Sequence, residues 1–388
     1  AYDNTNFELI QEDMNNPAGV RFKLRNNNLY FNGSYQGVLS DTWNISGGLS
    51  YTRGNNNMNI NDMRIVDKLS AYHAKLKFKK RFSNRFKLYF GAEYLATNFE
   101  ETFSDVNFST EPYGYDENIT SLFIESDIFL SKNLAFKTGL RSEYNEIFES
   151  FNLSPRLSVA YKTSKSSQLS LAYGTFYQNP LSDVLKFNQD LKAQNTKHYI
   201  VNYQFNADRK IFRAEVYFKD YMDLVKYDTD FAKVESNYNS NGFGFAKGID
   251  LFWRDSKSFR NFDYWVSYSF LDTERDYINY PIAAQPNFAN THNLSVVGKY
   301  WIEDWRSQVG FSYGFASGRT YTNPNVSGFL NEKTKSFHSL SINWAYLISP
   351  QKILYASVNN VLGFTNINGY QYTNTPDSNG FYDRRALK

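Results

Sequence analysis

Histidine performs much of the general acid–base catalysis and metal binding in proteins, and this 388-residue sequence contains four. They are scattered along the chain, at His73, His198, His292 and His338. No two of them stand two or four positions apart, the spacing at which a strand or a helix presents a pair of metal ligands. We therefore expect no metal site, no cofactor and no catalytic residue. A Ser–His pair assembled in space stays open, and an enzyme acting on lipid is our last alternative.

Residues 101–118 form an acidic and aromatic segment that could contact a ligand. Its tyrosines would stack on the ligand and its carboxylates would supply polar contacts. The candidate contact residues are Glu111, Tyr113, Tyr115 and Asp116. An ordinary solvated loop without a ligand is the alternative.

A second polar segment, KYDTDFAKVESN, contains two carboxylates that could bind calcium. Asp228 and Asp230 are separated by one residue, as in many calcium loops. The segment lacks the glycine and the distal glutamate of an EF-hand loop, so a solvated loop is the favoured interpretation.

The stretch YHAKLKFKKRF (72–82) alternates between two chemistries, and this period of two predicts a β-strand. One face would carry Tyr72, Ala74, Leu76, Phe78 and Phe82. The other would carry His73, Lys75, Lys77, Lys79 and Arg81. The same alternation recurs along the chain, for example in FRAEVYFK (212–219) and FDYWVSYSF (262–270).

The bulk composition excludes several classes of protein. A formal net charge of +3 gives no general nucleic-acid footprint, and the absence of cysteine excludes a disulfide scaffold. No run of about 18 apolar residues predicts a membrane-spanning helix. The alternating segments, however, mostly reach the roughly 9–11 residues that a tilted strand needs to cross a bilayer.

A membrane gives the two faces of these strands different solvents. A lysine or arginine that faces lipid at the midplane costs about 2–4 kcal/mol, so the basic stripe must face water and the aromatic stripe the lipid. The predicted lumen-facing residues are His73, Lys75, Lys77, Arg81, Glu125 and Arg141. The basic stripe could attract anionic cargo or acidic residues of a plug. Balance by inward carboxylates such as Glu93 and Glu143 is the favoured alternative.

The connections alternate between short and long, as expected of an outer-membrane barrel with short periplasmic turns and long extracellular loops. The predicted short turns are 40–41, 83–84, 131–133, 164–166, 207–209, 256–261, 303–304 and 349–350. The predicted loops are 54–67, 101–118, 179–195, 228–241, 273–290 and 317–334, with a brief one at 146–152. The sequence thus predicts an all-β, antiparallel, up-and-down transmembrane barrel with about 16–17 strands visible. A soluble β-sandwich or propeller would not separate its turn lengths in this way.

Several strings resemble the barrel of TonB-dependent outer-membrane receptors, most specifically from residue 151 onward. They are FNLSPRLSVAYKTSKSSQLSLAYGTFYQNP, FRAEVYFKDYMDLVKYD, ANTHNLSVVGKYW and ASVNNVLGFTNINGYQY, in the family's order. The closing YDRRALK resembles the lead-in to the last strand in Bacteroidota members. The resemblance implies a barrel of 22 strands, of which residues 1–388 would be one incomplete domain. The plug, the first strands and the last strand would lie outside it.

The resemblance also implies a function and partners. We expect a receptor that binds a solute at the cell surface and imports it to the periplasm, without catalysis. Its partners would be outer-membrane lipid, the TonB complex acting through a plug, and a surface lipoprotein or other envelope subunits, with no nucleic acid. A passive porin-like channel and a non-transporting barrel subunit of a larger complex are the alternatives.

Overall fold

The computed structural model describes residues 1–106 and 108–387, so position 107 of the expected loop 101–118 and Lys388 of YDRRALK lie outside the described residues. The structure is almost entirely β. The first strands are β1 (Tyr2–Gln11), β2 (Val20–Ser40), β3 (Trp43–Ile60), β4 (Met63–Arg81), β5 (Phe86–Ser104), β6 (Tyr113–Phe129), β7 (Leu134–Asn145) and β8 (Ser150–Lys162). They are followed by β9 (Ser167–Gln178), the short helix α1 (Ser182–Leu185), β10 (Gln194–Ala207), β11 (Lys210–Lys226), β12 (Asn239–Asp255), β13 (Phe262–Asp276) and β14 (His292–Ile302). The last elements are β15 (Ser307–Ala316), β16 (Thr320–Tyr321), β17 (Glu332–Lys333), β18 (Phe337–Ser349), β19 (Lys352–Val358), β20 (Gly369–Tyr372) and β21 (Arg384–Leu387).

Seventeen of these strands form one antiparallel sheet. Each strand from β1 to β15 pairs with the next along the chain, and β15, β18 and β19 continue the series. The remaining strands make two small hairpins, β16–β17 and β20–β21. This architecture confirms the predicted up-and-down antiparallel fold and its strand number. None of the helices in the described part of the chain is long and apolar enough to span a membrane.

The pairing register sorts side chains onto two chemically different faces. Directly opposed residues of antiparallel strands point to the same face of the sheet. Val216 lies opposite Ile249, and Ile249 lies opposite Phe270, so apolar side chains form rows across neighbouring strands. Glu215 lies opposite Asp250 on the other face. We call these the apolar face and the polar face, and Val216 is 51% exposed on the apolar one.

The predicted short turns all occur between paired strands, and side-chain oxygens hold several of them. The hydroxyl of Ser83 accepts from the backbone N–H groups of Arg85 and Phe86, both at 3.1 Å. Asp255 accepts from those of Lys257 and Ser258 at 2.8 and 2.9 Å. These oxygens satisfy donors that a tight turn leaves without a strand partner, which explains why serine and aspartate mark the turns.

Two predicted loops are wrong in extent. The expected loop 54–67 is part of a hairpin in which β3 and β4 pair as far as Ile60 and Met63, joined by a two-residue turn at Asn61 and Asp62. Asn61 has a φ of 50°, a conformation that asparagine tolerates well. The expected loop 101–118 shrinks to residues 105–112. Both segments looked like loops because the row that continues the apolar face is polar here, with Asn55, Lys68 and Glu100 opposed to one another, while Met58, Ile65 and Phe103 lie on the other face.

The remaining loops pack against one another. The buried side chains of Val184, Leu191 and Val225 form a small core, and four aromatic or small residues pack around it. These surrounding residues are Phe148, Tyr227, Ala232 and Tyr238. The loop end of the sheet is therefore an ordered layer with its own apolar centre.

Hydrogen bonds on the loop side join the two ends of the sheet. Residues that follow β1 contact the β20–β21 hairpin, which follows β19. The Arg385 guanidinium lies 3.1 Å from the Glu12 carboxylate, and the Gln371 amide donates to Asp13 at 2.8 Å. The first and last strands of the sheet are thereby linked through their loops.

The two-faced sheet predicts opposite tolerance to charge at neighbouring positions. Val216→Lys should lower the free energy of unfolding by about 2–4 kcal/mol, because it places an ammonium group in the hydrocarbon layer. Glu215→Lys is the matched control on the polar face and should have a much smaller effect. Urea unfolding in phospholipid vesicles, followed by tryptophan fluorescence, measures both variants. Equal losses at 215 and 216 would contradict the assignment of the faces.

Candidate functional site

A carboxylate on the polar face, Glu93 of β5, contacts three nitrogen-bearing side chains. His73 Nε2 lies 2.6 Å from it, Lys75 Nζ 3.4 Å and Arg141 Nη1 2.6 Å. Lys75 stands directly opposite Glu93 in the register of β4 and β5, which explains their contact. The structure thus brings three of the predicted lumen-facing residues together around one acid.

Arg141 extends this network to the next strands. Its Nη2 donates to Ser121 Oγ at 2.8 Å and to the Glu143 carboxylate at 3.0 Å. Ser121 is almost completely buried beneath these groups. Because guanidinium bonds to carboxylates are directional and charge-assisted, the network fixes Arg141 against the sheet.

The other predicted lumen-facing residues do not join this network. The ammonium of Lys77 lies 5.7 Å from the centre of the Tyr89 ring. Glu125 pairs with Lys137 at 3.8 Å. Arg81 donates to the backbone oxygen of Asp41 at 2.9 Å and so supports a short turn.

A groove that the sequence did not predict lies on the same face. Gly139, Arg156, Gly174 and His198 stand opposite one another in turn across strands β7 to β10. Both glycines and Arg156 line one cavity. The resulting cavity, which we call the wall groove, has a volume of about 290 Å³.

Aromatic contacts order the wall groove. The guanidinium carbon of Arg156 lies 4.8 Å from the centre of the Phe176 ring, and the His198 ring lies 4.7 Å from the same centre. A Cβ at Gly174 would approach the Phe176 ring to 2.9 Å, so any larger residue there would require the ring to shift. A cation held on an aromatic face beside open space can bind a negatively charged or planar group.

At the loop end, the candidate ligand-contact residues are mostly occupied by contacts within the chain. Tyr113, Tyr115 and Asp116 lie in strand β6 rather than in a loop, and Glu111 is exposed in the segment before it. The Tyr115 hydroxyl lies 2.8 Å from Ser182 Oγ, and Tyr113 packs edge-on against Phe187. These tyrosines anchor the loop 179–193 to the sheet.

Charged groups anchor the same loop at a second point. The Lys186 ammonium lies 2.7 Å from the Glu101 carboxylate, and both side chains are mostly buried. Asp67 stands directly opposite Glu101 in the register of β4 and β5. Burial and the nearby Glu101 carboxylate raise the pKa of Asp67 to about 6. Asp67 lies fourteen positions from the turn end of β4 at Arg81, farther than the roughly 9–11 residues that a tilted strand needs to cross a bilayer.

A third anchor holds the loop 277–291. The guanidinium of Arg275 lies 4.5 Å from the ring centre of Tyr221 and 5.4 Å from that of Phe288. Lys226 forms an ion pair with Asp276 beside it. Arginine and aromatic side chains thus connect this loop to the ends of β11 and β13.

The remaining chemical candidates have structural contacts. Asp228 accepts from the backbone N–H of Asn237 at 2.9 Å, which holds the loop 227–238 in shape. Gly310, Ser312 and Gly314 match the spacing of a hydrolase nucleophile motif. They lie inside strand β15, whereas that motif requires a sharp turn between a strand and a helix.

One family of outer-membrane proteins matches nearly the whole chain. A family model described as "TonB dependent receptor-like, beta-barrel" matches residues 2–361. None of the curated protein sequences matches the chain.

Solved structures share the fold at low identity. The outer membrane transporter YddB from Escherichia coli superposes with a TM-score of 0.76 at 12% identity, covering 99% of this chain and 64% of that one. The FrpB iron transporter from Neisseria meningitidis gives 0.70 at 12% identity, covering 99% and 66%. The ferripyoverdine receptor of the outer membrane of Pseudomonas aeruginosa gives 0.72 at 11% identity, covering 95% and 55%. The chain therefore spans less than two thirds of each of these structures.

The Lys186–Glu101 contact predicts how firmly the loop 179–193 is held. Lys186→Met leaves the Glu101 carboxylate mostly buried without its cation, which costs a few kcal/mol. Hydrogen exchange of the amides in 179–193 should become at least about tenfold faster. Lys192→Met, at an exposed position of the same loop, is the matched control and should leave exchange unchanged. Equal exchange in the two variants would show that Lys186 does not anchor the loop.

The raised pKa of Asp67 predicts a stability that depends on pH. Between its ordinary value of 3.8 and about 6, the folded state holds a proton that the unfolded state releases. The stability that protonated Asp67 contributes is therefore complete below pH 3.8 and is lost as the pH rises through 6. Asp67→Asn should raise the thermal midpoint relative to the native protein at pH 7.5, but not at pH 3.5. A difference between the midpoints that is the same at both pH values would contradict this cause.

Proposed function

Because the chain belongs to the family of TonB-dependent receptor-like β-barrels, we propose that it forms the barrel of a receptor that binds a solute at the cell surface and imports it. The protein is a β-barrel of the bacterial outer membrane, with short turns on the periplasmic side and its longer loops outside. The observation that carries the proposal is the division of seventeen paired strands into an apolar and a polar face. Such a wall separates lipid from an aqueous interior.

The ordered loop layer supports a receptor. Loops 179–193, 227–238 and 277–291 are held by the apolar core, by Lys186 and by Arg275. A surface that is already ordered loses little conformational entropy when it binds a ligand. The loop layer therefore suits selective capture of a solute better than an open mouth would.

The wall groove supports a solute that carries negative charge. Arg156 contacts the Phe176 ring and open space, whereas Arg141 is already engaged by Glu93 and Glu143. An arginine held in this way can form paired bonds with a carboxylate or phosphate group. A second cavity of about 180 Å³ adjoins the groove, and the cations Lys75, Lys77, Arg141 and Arg156 that line it outnumber its one carboxylate, Glu125. The names of two similar structures, an iron transporter and a ferripyoverdine receptor, are compatible with chelated metal as cargo.

Import against a gradient requires energy, which in this family the TonB complex supplies. In our proposal TonB acts through a plug inside the barrel, and the polar face forms the wall that the plug meets. The basic groups of that wall would contact the solute once the plug moves. A surface lipoprotein or another envelope subunit is a further proposed partner at the loop layer, and the Bacteroidota type stays a prediction.

Uptake by the source bacterium tests the proposal. A strain that lacks the gene should deplete at least one anionic solute from its medium more slowly than the parent, as measured by mass spectrometry. The native gene should restore the rate, and a proton ionophore should abolish it. Arg156→Ala should restore uptake only in part, whereas Lys162→Ala, at an exposed position near a short turn, should restore it fully.

Three outcomes would contradict the proposal. Uptake that resists the ionophore would favour a passive channel, and the absence of any solute difference would favour a barrel with a structural role. Full rescue by Arg156→Ala would reject the wall groove as a solute contact.

A further inference from the structure

Two histidines on the apolar face repeat one arrangement at the loop end of the sheet. His292 is the first residue of β14, and His338 is the second of β18. The Tyr268 hydroxyl lies 2.9 Å from His292 Nδ1, and the Tyr313 hydroxyl lies 2.9 Å from His338 Nδ1. In each case the tyrosine comes from the preceding strand of the sheet and lies deeper in the membrane.

The backbone at each histidine is fixed by a residue that follows the next strand of the sheet, Ser317 after β15 and Asn366 after β19. The N–H of His292 donates to Ser317 Oγ at 3.0 Å, and the Ser317 N–H donates to the His292 oxygen at 2.9 Å. The N–H of His338 donates to Asn366 Oδ1, and Asn366 Nδ2 donates to the His338 oxygen, both at 2.9 Å. Two independent pairs of bonds thus hold the two imidazoles in equivalent positions.

Phenylalanines alternate with these histidines around the rim. The ring centres of Phe270 and His292 lie 5.4 Å apart, those of Phe315 and His338 5.1 Å, and those of His338 and Phe364 5.3 Å. We call these five residues the histidine belt. Such spacings give favourable ring contacts, so each histidine is packed against phenylalanine within the belt.

The position of the belt sets its surroundings. On β14 the face continues from His292 through Leu294 and Val296, and on β18 from His338 through Leu340 and Ile342. These residues face the acyl chains of the bilayer. The belt lies at the loop end of the same surface, where the outer leaflet changes from acyl chains to headgroups.

The tyrosine contacts leave a hydrogen-bond donor on each histidine. A phenol hydroxyl is a good donor, and Nδ1 of a neutral imidazole accepts its proton when the ring hydrogen is on Nε2. The contact therefore satisfies a hydroxyl that would otherwise face lipid and places an N–H on the opposite side of the ring. A protonated imidazole also presents the Nε2–H donor, and its Nδ1–H then donates to the tyrosine oxygen.

The segment that follows β15 above the belt is basic, and the carboxylate nearest to Phe270 on the same face of β13, Asp272, is paired with Lys247 at 3.0 Å. Segment 317–336 has three cations, at Arg319, Lys333 and Lys335, and all three are exposed. Its one carboxylate, Glu332, is bound by the Tyr321 hydroxyl. The neighbouring segments 277–291 and 359–368 contain no Lys, Arg, Asp or Glu. Positive charge at this height attracts anionic headgroups.

We propose that the histidine belt, with the basic segment above it, binds the phosphate-bearing headgroup of an outer-leaflet lipid. The imidazole Nε2–H groups donate to phosphate oxygens, the phenylalanines contact the upper acyl chain, and the exposed cations balance the charge. The continuity of the belt with the acyl-facing surface favours a lipid over a soluble anion. This inference is independent of the solute that the receptor imports.

Native mass spectrometry of the folded protein in a non-ionic detergent tests the inference. The protein is titrated with phosphatidic acid and with diacylglycerol of the same acyl chains. The native protein should bind phosphatidic acid preferentially. The variant His292→Phe with His338→Phe keeps the aromatic packing but should weaken this binding about tenfold or more, because it loses hydrogen bonds to a charged group. Its folding is checked by the shift in gel mobility on heating.

Two further variants separate hydrogen bonding from packing and from stability. His292→Gln with His338→Gln retains an N–H donor at each position and should bind more tightly than the phenylalanine variant. Tyr300→Phe with Tyr346→Phe lies on the same strands and face, at the periplasmic end, and should bind like the native protein. Glycerol 3-phosphate, which has the headgroup without the chains, should not compete.

Other results would overturn the inference. Equal binding of the two lipids by the native protein would show that the site does not recognise the phosphate group. Undiminished binding by the phenylalanine variant would show that the histidines do not bind the lipid. Competition by glycerol 3-phosphate would indicate a site for soluble anions.

Discussion

A lipid bilayer offers no hydrogen-bond partner to a peptide group and no favourable solvation to a charge, and the rest of this structure depends on that constraint. Antiparallel pairing of consecutive strands satisfies the peptide groups. The period of two along each strand satisfies the side chains by placing Val216 with Ile249 and Glu215 with Asp250. Because both solutions operate in the same strands, one sheet can separate acyl chains from water.

The polar face, unlike the apolar face, can carry charged side chains in different arrangements. Its charges gather into a network around Glu93, where Arg141 is held by two carboxylates, and into a wall groove where Arg156 lies on an aromatic ring. The first arrangement stabilises the wall, and the second leaves a cation available. The loops follow the same division, because buried contacts such as Lys186 with Glu101 fix them above the barrel.

The sequence predicts the features that depend on local chemistry. Alternation in FRAEVYFK predicts a strand and its two faces, because side-chain direction is a local property. The serine at position 83 predicts a turn, because its hydrogen bonds are also local. The segment 54–67 misleads, since its row that continues the apolar face is polar, with Asn55 opposite Lys68, and the segment therefore resembles a loop. The wall groove and the histidine belt depend on register between strands. Gly139, Arg156, Gly174 and His198 are far apart in sequence and meet only through pairing.

The chain has no cysteine, so single cysteines can be placed at will along β11 and spin-labelled in vesicles. Collision rates with oxygen, which concentrates in lipid, and with a water-soluble nickel complex report which solvent each label meets. From position 212 to 218 we expect strict alternation, with even positions exposed to oxygen and odd positions to nickel. Nickel exposure at even positions, or equal exposure throughout, would contradict a wall between lipid and water.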